Sequence, residues 1–384
     1  MKPNLSPFDQ TVPNWVDSYA RHVNPVFNKL LTTLGYGRWY TRAQDVWLWD
    51  NRERVYLDAL AGFSAVNIGH SHPTLVAALQ QLLLDAPLHF CHVGASEYQA
   101  ECARSLVQCL PEGLELVLFA NGGAEAVEAA MKLSRAATRR KQFVYCDQSF
   151  HGTSWGALSV MGASRMRAPF EPLLSECLRV PFGDLDALDQ VLRTKRVAAF
   201  ILEPVQSEAG VRLPPAGYLH GAEELCRRYG SLLVVDEIQT GLGRTGTWTY
   251  SAQWNISPDI IILGKSMSGG IVPAAAAVTT AAIYKRAYGS YDRFDLHSST
   301  FGGNALACVA TQTTLTILKQ DGLLDNASAR GAELMTGLRA RLGKHPLVRA
   351  IRGSGLLVGI ELGAGETSGS KWTHRLLEWT RLKV

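Results

Sequence analysis

Two short runs dominated by apolar residues, 231–235 and 259–263, set the frame of the chain. Each reads as a buried strand, because a strand covered on both faces keeps few polar positions. Similar runs occur at 116–120, 143–146, 198–203 and 273–279. Between and after them, stretches of helical periodicity fall at 126–139, 217–228, 305–319 and 323–342. Strands alternating with helices at this spacing predict an α/β fold with a mostly parallel sheet covered on both faces. Upstream, 24–34 reads as a helix and 45–57 as a hairpin turning at Asp50-Asn51-Arg52. Another helix begins after Pro73, with His70 and His72 as capping residues; no further ligand cluster turns this pair into a metal site. Residues 352–361 read as a single strand, followed by a glycine-rich loop at 363–369 and a helix at 371–382. No internal repeat is visible.

Composition narrows the class. At 384 residues the chain can bury large cores, and its formal charge of +4 carries no basic block of the kind that nucleic acid demands. Seven cysteines without paired spacing suit a reducing compartment better than a disulfide framework. The polar, proline-containing start is unlike a signal peptide, and no apolar run reaches membrane-spanning length. The expectation is a soluble, cytoplasmic protein.

The two framing strands carry chemistry at their ends. The first delivers Asp236 and the second Lys265, and open α/β sheets bind ligands at the carboxyl ends of their strands. A desolvated lysine can attack a carbonyl, and a pyridoxal phosphate site needs such a lysine plus an acid for the pyridinium nitrogen. The turn Asn121-Gly122-Gly123-Ala124-Glu125 joins a strand to a helix amino terminus, where free N–H groups and the helix dipole favour an anion. Phe150, at another strand end, has the flat face that can stack on a pyridine ring.

The segment from Asp236 to Gly246, with Leu263-Gly264-Lys265-Ser266-Met267-Ser268-Gly269-Gly270, resembles the fold-type I, class III aminotransferases, in particular their ornithine aminotransferase branch. The likeness covers residues 40 to 361, with its motifs in order. It implies pyridoxal 5′-phosphate as cofactor, a large domain at 61–305, and a small domain built from 1–60 and 306–384. It implies that Lys265 carries the cofactor and shuttles protons, and that Asp236 pairs with the ring nitrogen. Phe150, of an aromatic-His151-Gly152 motif, and Ile238 would flank the ring, and Gln239 would reach its phenolic oxygen. Gly123 and Ala124 would hold the phosphate with Thr300 of a partner subunit, so a homodimer with shared sites is expected. The implied activity is ping-pong amino transfer from an amine or amino acid to a keto acid or aldehyde. Another reaction of this cofactor, such as an amino shift or decarboxylation, and a non-catalytic relative are the alternatives.

Departures from the family pattern bear on the substrate. Phe63 stands where ornithine aminotransferases carry a tyrosine, and Thr153 where they carry a carboxylate-binding arginine. Glu208 matches a gate glutamate whose arginine partner lies in a longer carboxy-terminal segment; Arg375 and Arg381 sit in no such motif. Either the chain is a shortened form of a longer protein, the preferred expectation, or Glu208 has another partner. Both alternatives predict poor use of 2-oxoglutarate.

Overall fold

In a computed structural model of the chain, residues 15–34, 38, 40–88 and 94–363 are described. The expected loop at 363–369, apart from Gly363, and the helix at 371–382 lie outside them. Two compact units divide between Ala59 and Leu60.

The first unit holds helices Trp15–His22 and Pro25–Thr33 and an antiparallel sheet of β1 (Tyr40–Gln44), β2 (Trp47–Asp50) and β3 (Val55–Leu57). The expected hairpin is β2–β3, with Trp47 opposite Leu57. Asp50 closes its turn. Its buried carboxylate accepts from the backbone N–H groups of Arg52 and Arg54 at 2.9 and 3.0 Å, and from the Arg54 guanidinium and the Tyr56 hydroxyl.

The second unit is built on a seven-stranded sheet. In chain order its strands are β4 (Leu116–Ala120), β5 (Gln142–Cys146), β6 (Cys177–Val180), β7 (Val197–Leu202), β8 (Leu232–Asp236), β9 (Ile260–Leu263) and β10 (Ala275–Thr279). Their spatial order is β4-β10-β9-β8-β7-β5-β6, and only β10 runs against its neighbours. Alternate side chains leave the two faces, as the pleat requires. Ile260 and Ile262 join the core under helices Gly123–Thr138 and Ala281–Tyr288. Ile261 and Leu263 point the other way, into the core shared with helices Pro73–Leu84 and Ala305–Gln320. Every residue of β7, β8, β9 and β10 is buried, which explains the near-absence of polar positions in those runs.

Two readings need correction. Residues 352–361 are not one strand: β11 (Val348–Ser354) turns at Gly355 into β12 (Leu357–Leu362). Gly355 has φ +54°, and an added Cβ would lie 2.5 Å from the Thr245 backbone, so only glycine fits this turn. His72 does occupy the N-cap position before Pro73, but its side chain makes no capping bond. Its Nε2 instead faces Asp321 at 3.8 Å, and its Nδ1 is buried without a hydrogen-bond partner.

Candidate active site

The carboxyl ends of β8 and β9 bring Asp236 and Lys265 to one edge of the sheet, since Asp236 pairs in register with Ile262. Lys265 follows Gly264 directly and sits at φ 44°, in the left-handed region. For a residue with a Cβ this costs about 1–2 kcal/mol. Such strain persists only where the surrounding structure enforces it. Burial pushes the Lys265 amine below the usual lysine value, while Glu208, Asp236 and Glu203 pull it back up through their charge.

Asp236 is 4% exposed and has both carboxylate oxygens engaged. The protonated Nδ1 of His151 donates to Oδ2 at 2.8 Å, and the Ile238 N–H donates to Oδ1 at 3.1 Å. Each oxygen keeps a further lone pair, so a third donor can still be accepted. Burial would depress the His151 imidazole, but the hydrogen bond and charge of Asp236, with the charge of Glu203, raise it overall. The other ring nitrogen, Nε2, is buried without a hydrogen-bond partner.

Glu203, the residue that follows β7, is a component that the sequence reading passed over. It is buried beside His151 and accepts the Phe150 N–H at 2.8 Å. Burial pushes its carboxyl up to about 8, against the opposing charge of His151. The native state therefore holds a proton that an unfolded glutamate, near 4.5, has released. Between those values stability falls as pH rises, because the native state binds the extra proton. Glu203→Gln is thus expected to gain stability relative to wild type between about pH 5 and pH 8. Urea unfolding at the two pH values checks this; an unchanging difference contradicts it.

The glycine turn has the shape of an anion cradle. Gly122 occupies the N-cap of helix Gly123–Thr138 and no side chain caps it, which leaves first-turn N–H groups open. An added Cβ on Gly123 would meet Ile238 Cδ1 at 2.7 Å, and one on Gly152 would meet Ala124 Cβ at 2.6 Å. The turn, Ile238 and the Phe150–Gly152 segment are therefore packed to one another. Asn121 steadies the turn, donating from Nδ2 to Glu125 at 3.0 Å and to Ser299 Oγ at 2.9 Å. Thr300, next to Ser299, is exposed.

The remaining expected residues, Phe63, Thr153 and Glu208, are all exposed. Phe63 is 57% exposed, within four consecutive residues of positive φ, Ala61 to Ser64. Thr153 is also exposed. Glu208 has a partner that was not foreseen: Gln239 Nε2 donates to its Oε1 at 2.9 Å.

These residues fit pyridoxal 5′-phosphate. An uncapped helix start suits its phosphate, a buried acid its ring nitrogen, and a desolvated lysine its carbonyl. Comparison with known proteins agrees. The family Aminotransferase class-III matches residues 34–379, and the chain belongs to that family. Its members are pyridoxal-phosphate enzymes whose general reaction is ping-pong amino transfer.

Among individual relatives, the chain is 37% identical over 368 residues to the aminotransferase PigE of Serratia sp. (strain ATCC 39006). The match covers 94% of this chain but 43% of that protein, so the chain spans less than half its length. The ornithine aminotransferase of Toxoplasma gondii ME49 superposes with a TM-score of 0.82 at 32% identity, covering 92% of this chain and 83% of that one. A thermostable (S)-enantioselective omega-transaminase of Thermomicrobium roseum gives 0.86 at 30% identity, over 93% and 86%. The resemblance to ornithine aminotransferases read from the motifs is thus found again in the fold, and omega-transaminases share that fold.

Proposed function

We propose that this chain moves an amino group from an amine or amino acid to a keto acid or aldehyde, with Lys265 and Asp236 as its catalytic pair. The observation that carries the reading is the left-handed, half-buried lysine at the end of β9, beside the buried Asp236–His151 pair. When bound, the cofactor supplies a carbonyl for amino exchange and a ring that withdraws electrons. The protein's own groups do the rest. Lys265 holds the cofactor and, once freed, takes the proton from the substrate carbon; its lowered affinity for protons suits that task. Asp236 keeps the ring nitrogen protonated, and His151 fixes the carboxylate in place. Ile238 and Phe150 would flank the ring. Gln239 has a second amide N–H beyond the one given to Glu208, and this would be the donor offered to the phenolic oxygen. Gly123 and Ala124 offer backbone N–H groups to the phosphate, joined by Thr300 of a partner subunit in a cytoplasmic homodimer. Among the described residues no helix is long and apolar enough to cross a membrane.

The substrate follows from the exposed residues Phe63, Thr153 and Glu208. With Thr153 in place of an arginine, a charge-assisted contact to an α-carboxylate is lost, worth about 1.5–3 kcal/mol. Phe63 offers no hydroxyl. Ornithine is therefore a poor donor, and a less anionic or more apolar amine is preferred. On the acceptor side, Glu208 stays with Gln239 and keeps its negative charge near Lys265, which repels a second carboxylate. A panel of amines and amino acids against 2-oxoglutarate, pyruvate and small aldehydes is the test. The expected result ranks ornithine low and 2-oxoglutarate below pyruvate; ornithine with 2-oxoglutarate as the best pair would refute this assignment.

A further inference from the structure

The turn that carries Glu208 is held from two sides. Backbone N–H groups of Gly210 and Val211 both donate to Ser207 O, and Gln206 bridges Arg212, so residues 206–212 form a closed loop. Within that loop the exposed Glu208 side chain accepts one hydrogen bond, from Gln239 Nε2 at 2.9 Å. The loop backbone at Gly210, two residues on, is bonded by a residue far along the chain. Arg352, on β11, donates from Nε to Gly210 O at 2.8 Å. The same guanidinium donates from Nη1 to Glu361 Oε2, on β12, at 2.6 Å. The fork therefore bonds the turn with one arm and its own hairpin with the other, an arrangement that the planar guanidinium provides and an ammonium does not.

Two glycines show how closely the surfaces meet. A Cβ on Gly359 of β12 would lie 2.9 Å from Gly210 O and 3.1 Å from Val211 Cβ. A Cβ on Gly210 would lie 3.1 Å from Arg352 Nη2. The hairpin thus rests on the Glu208 turn, and Arg352 is the polar bond across the contact. Leu357, at the start of β12, packs against the core that contains Val205 and Val211 on either side of the turn.

We infer that Arg352 is a positioning residue for Glu208, coupling the β11–β12 hairpin to the charge that Lys265 and an incoming acceptor meet. The inference rests on the assignment of Glu208 to the substrate side of the site. Arg352 touches no reacting atom. It acts by holding the turn so that the Glu208 carboxylate stays on Gln239 and within electrostatic reach of Lys265. The consequence is selectivity between acceptors that bear a second carboxylate and those that do not.

The sign of one titration separates this from a passive role. A carboxylate near the lysine favours the cationic form, so unseating Glu208 lowers the pH midpoint of the cofactor absorbance in the loaded enzyme. Loss of the Arg352 cation acting directly through its field would raise that midpoint instead. The experiment compares wild type, Arg352→Gln, Arg352→Lys, Glu208→Gln and the double variant Arg352→Gln/Glu208→Gln. Two readouts are taken, the absorbance midpoint and the ratio of kcat/KM for pyruvate over 2-oxoglutarate.

Arg352→Gln is expected to lower the midpoint and to shrink the ratio by about tenfold, mainly through KM for 2-oxoglutarate. Arg352→Lys should show the same change at smaller size. The double variant should match Glu208→Gln alone, because coupled residues are not additive. Glu361→Gln, which leaves Arg352 and its charge in place, should shift both readouts weakly in the same direction and covers the case of an Arg352 variant that does not fold. An unchanged or raised midpoint in Arg352→Gln, beside an effective Glu208→Gln, overturns the inference alone. A Glu208→Gln variant with wild-type values in both readouts overturns the assignment of Glu208 and the inference with it.

Discussion

Replacing Lys265 with alanine is expected to take transamination below detection while leaving the fold intact. The side chain lies at the end of a strand whose four residues, Ile260 to Leu263, are fully buried, and those residues are untouched by the change. On the proposed assignment, removing the amine removes two contributions at once. The covalent attachment to the cofactor disappears, and so does the group that moves the substrate proton, a contribution of about 10²–10⁴-fold by itself. Alanine also keeps the left-handed φ of 44° at position 265, so any stability loss from the backbone is shared with wild type. Turnover with the best donor and acceptor checks this, beside thermal unfolding as the control. Retention of more than a trace of activity would place the catalytic amine elsewhere.

Asp236→Asn carries the second large effect, a fall in turnover of at least about 100-fold with cofactor still bound. The shape is preserved but the charge is not. An amide neither holds a proton on a ring nitrogen nor compensates the raised affinity of His151 for its own proton. His151 should therefore titrate lower in the variant, since Asp236 is the principal group that opposes its burial. One local bond also suffers: Asp236 accepts from His151 and from the Ile238 N–H through different oxygens, and asparagine offers a single acceptor oxygen. Near-normal turnover, or an unchanged His151 titration measured by NMR, would remove Asp236 from this role.

How much of this was legible in the sequence differs by residue. Asp236 and Lys265 were readable because β8 and β9 are buried on both faces, and that burial writes an unbroken apolar run with a polar stop at its end. The strand at 116–120 and the helix at 323–342 match β4 and the observed helix Leu323–Leu342. The start of helix Gly123–Thr138 was placed three residues late, because its first turn is the cradle itself and reads as loop. β6, with Arg179 in a four-residue edge strand, carried too little apolar signal to stand out.

Glu203 was passed over for a different reason. A carboxylate at the end of a strand is an ordinary sight, and its burial, with the Phe150 N–H donated to it, is seen only in the folded structure. The Gln239–Glu208 bond joins residues 31 positions apart, and the Arg352–Gly210 bond joins residues 142 apart. Neither separation has a periodicity that a sequence could display. The hairpin β11–β12 was missed because the run from Arg352 to Glu361 looks continuous until the positive φ of Gly355 is known.

The central claim is that Lys265 is the residue bonded to the cofactor. Borohydride reduction of the loaded protein fixes the cofactor to whichever lysine holds it, and proteolysis with mass spectrometry then locates the label. The account predicts one labelled peptide, containing Lys265, and none from the Lys265→Ala variant; a label on any other lysine of the wild type would contradict it.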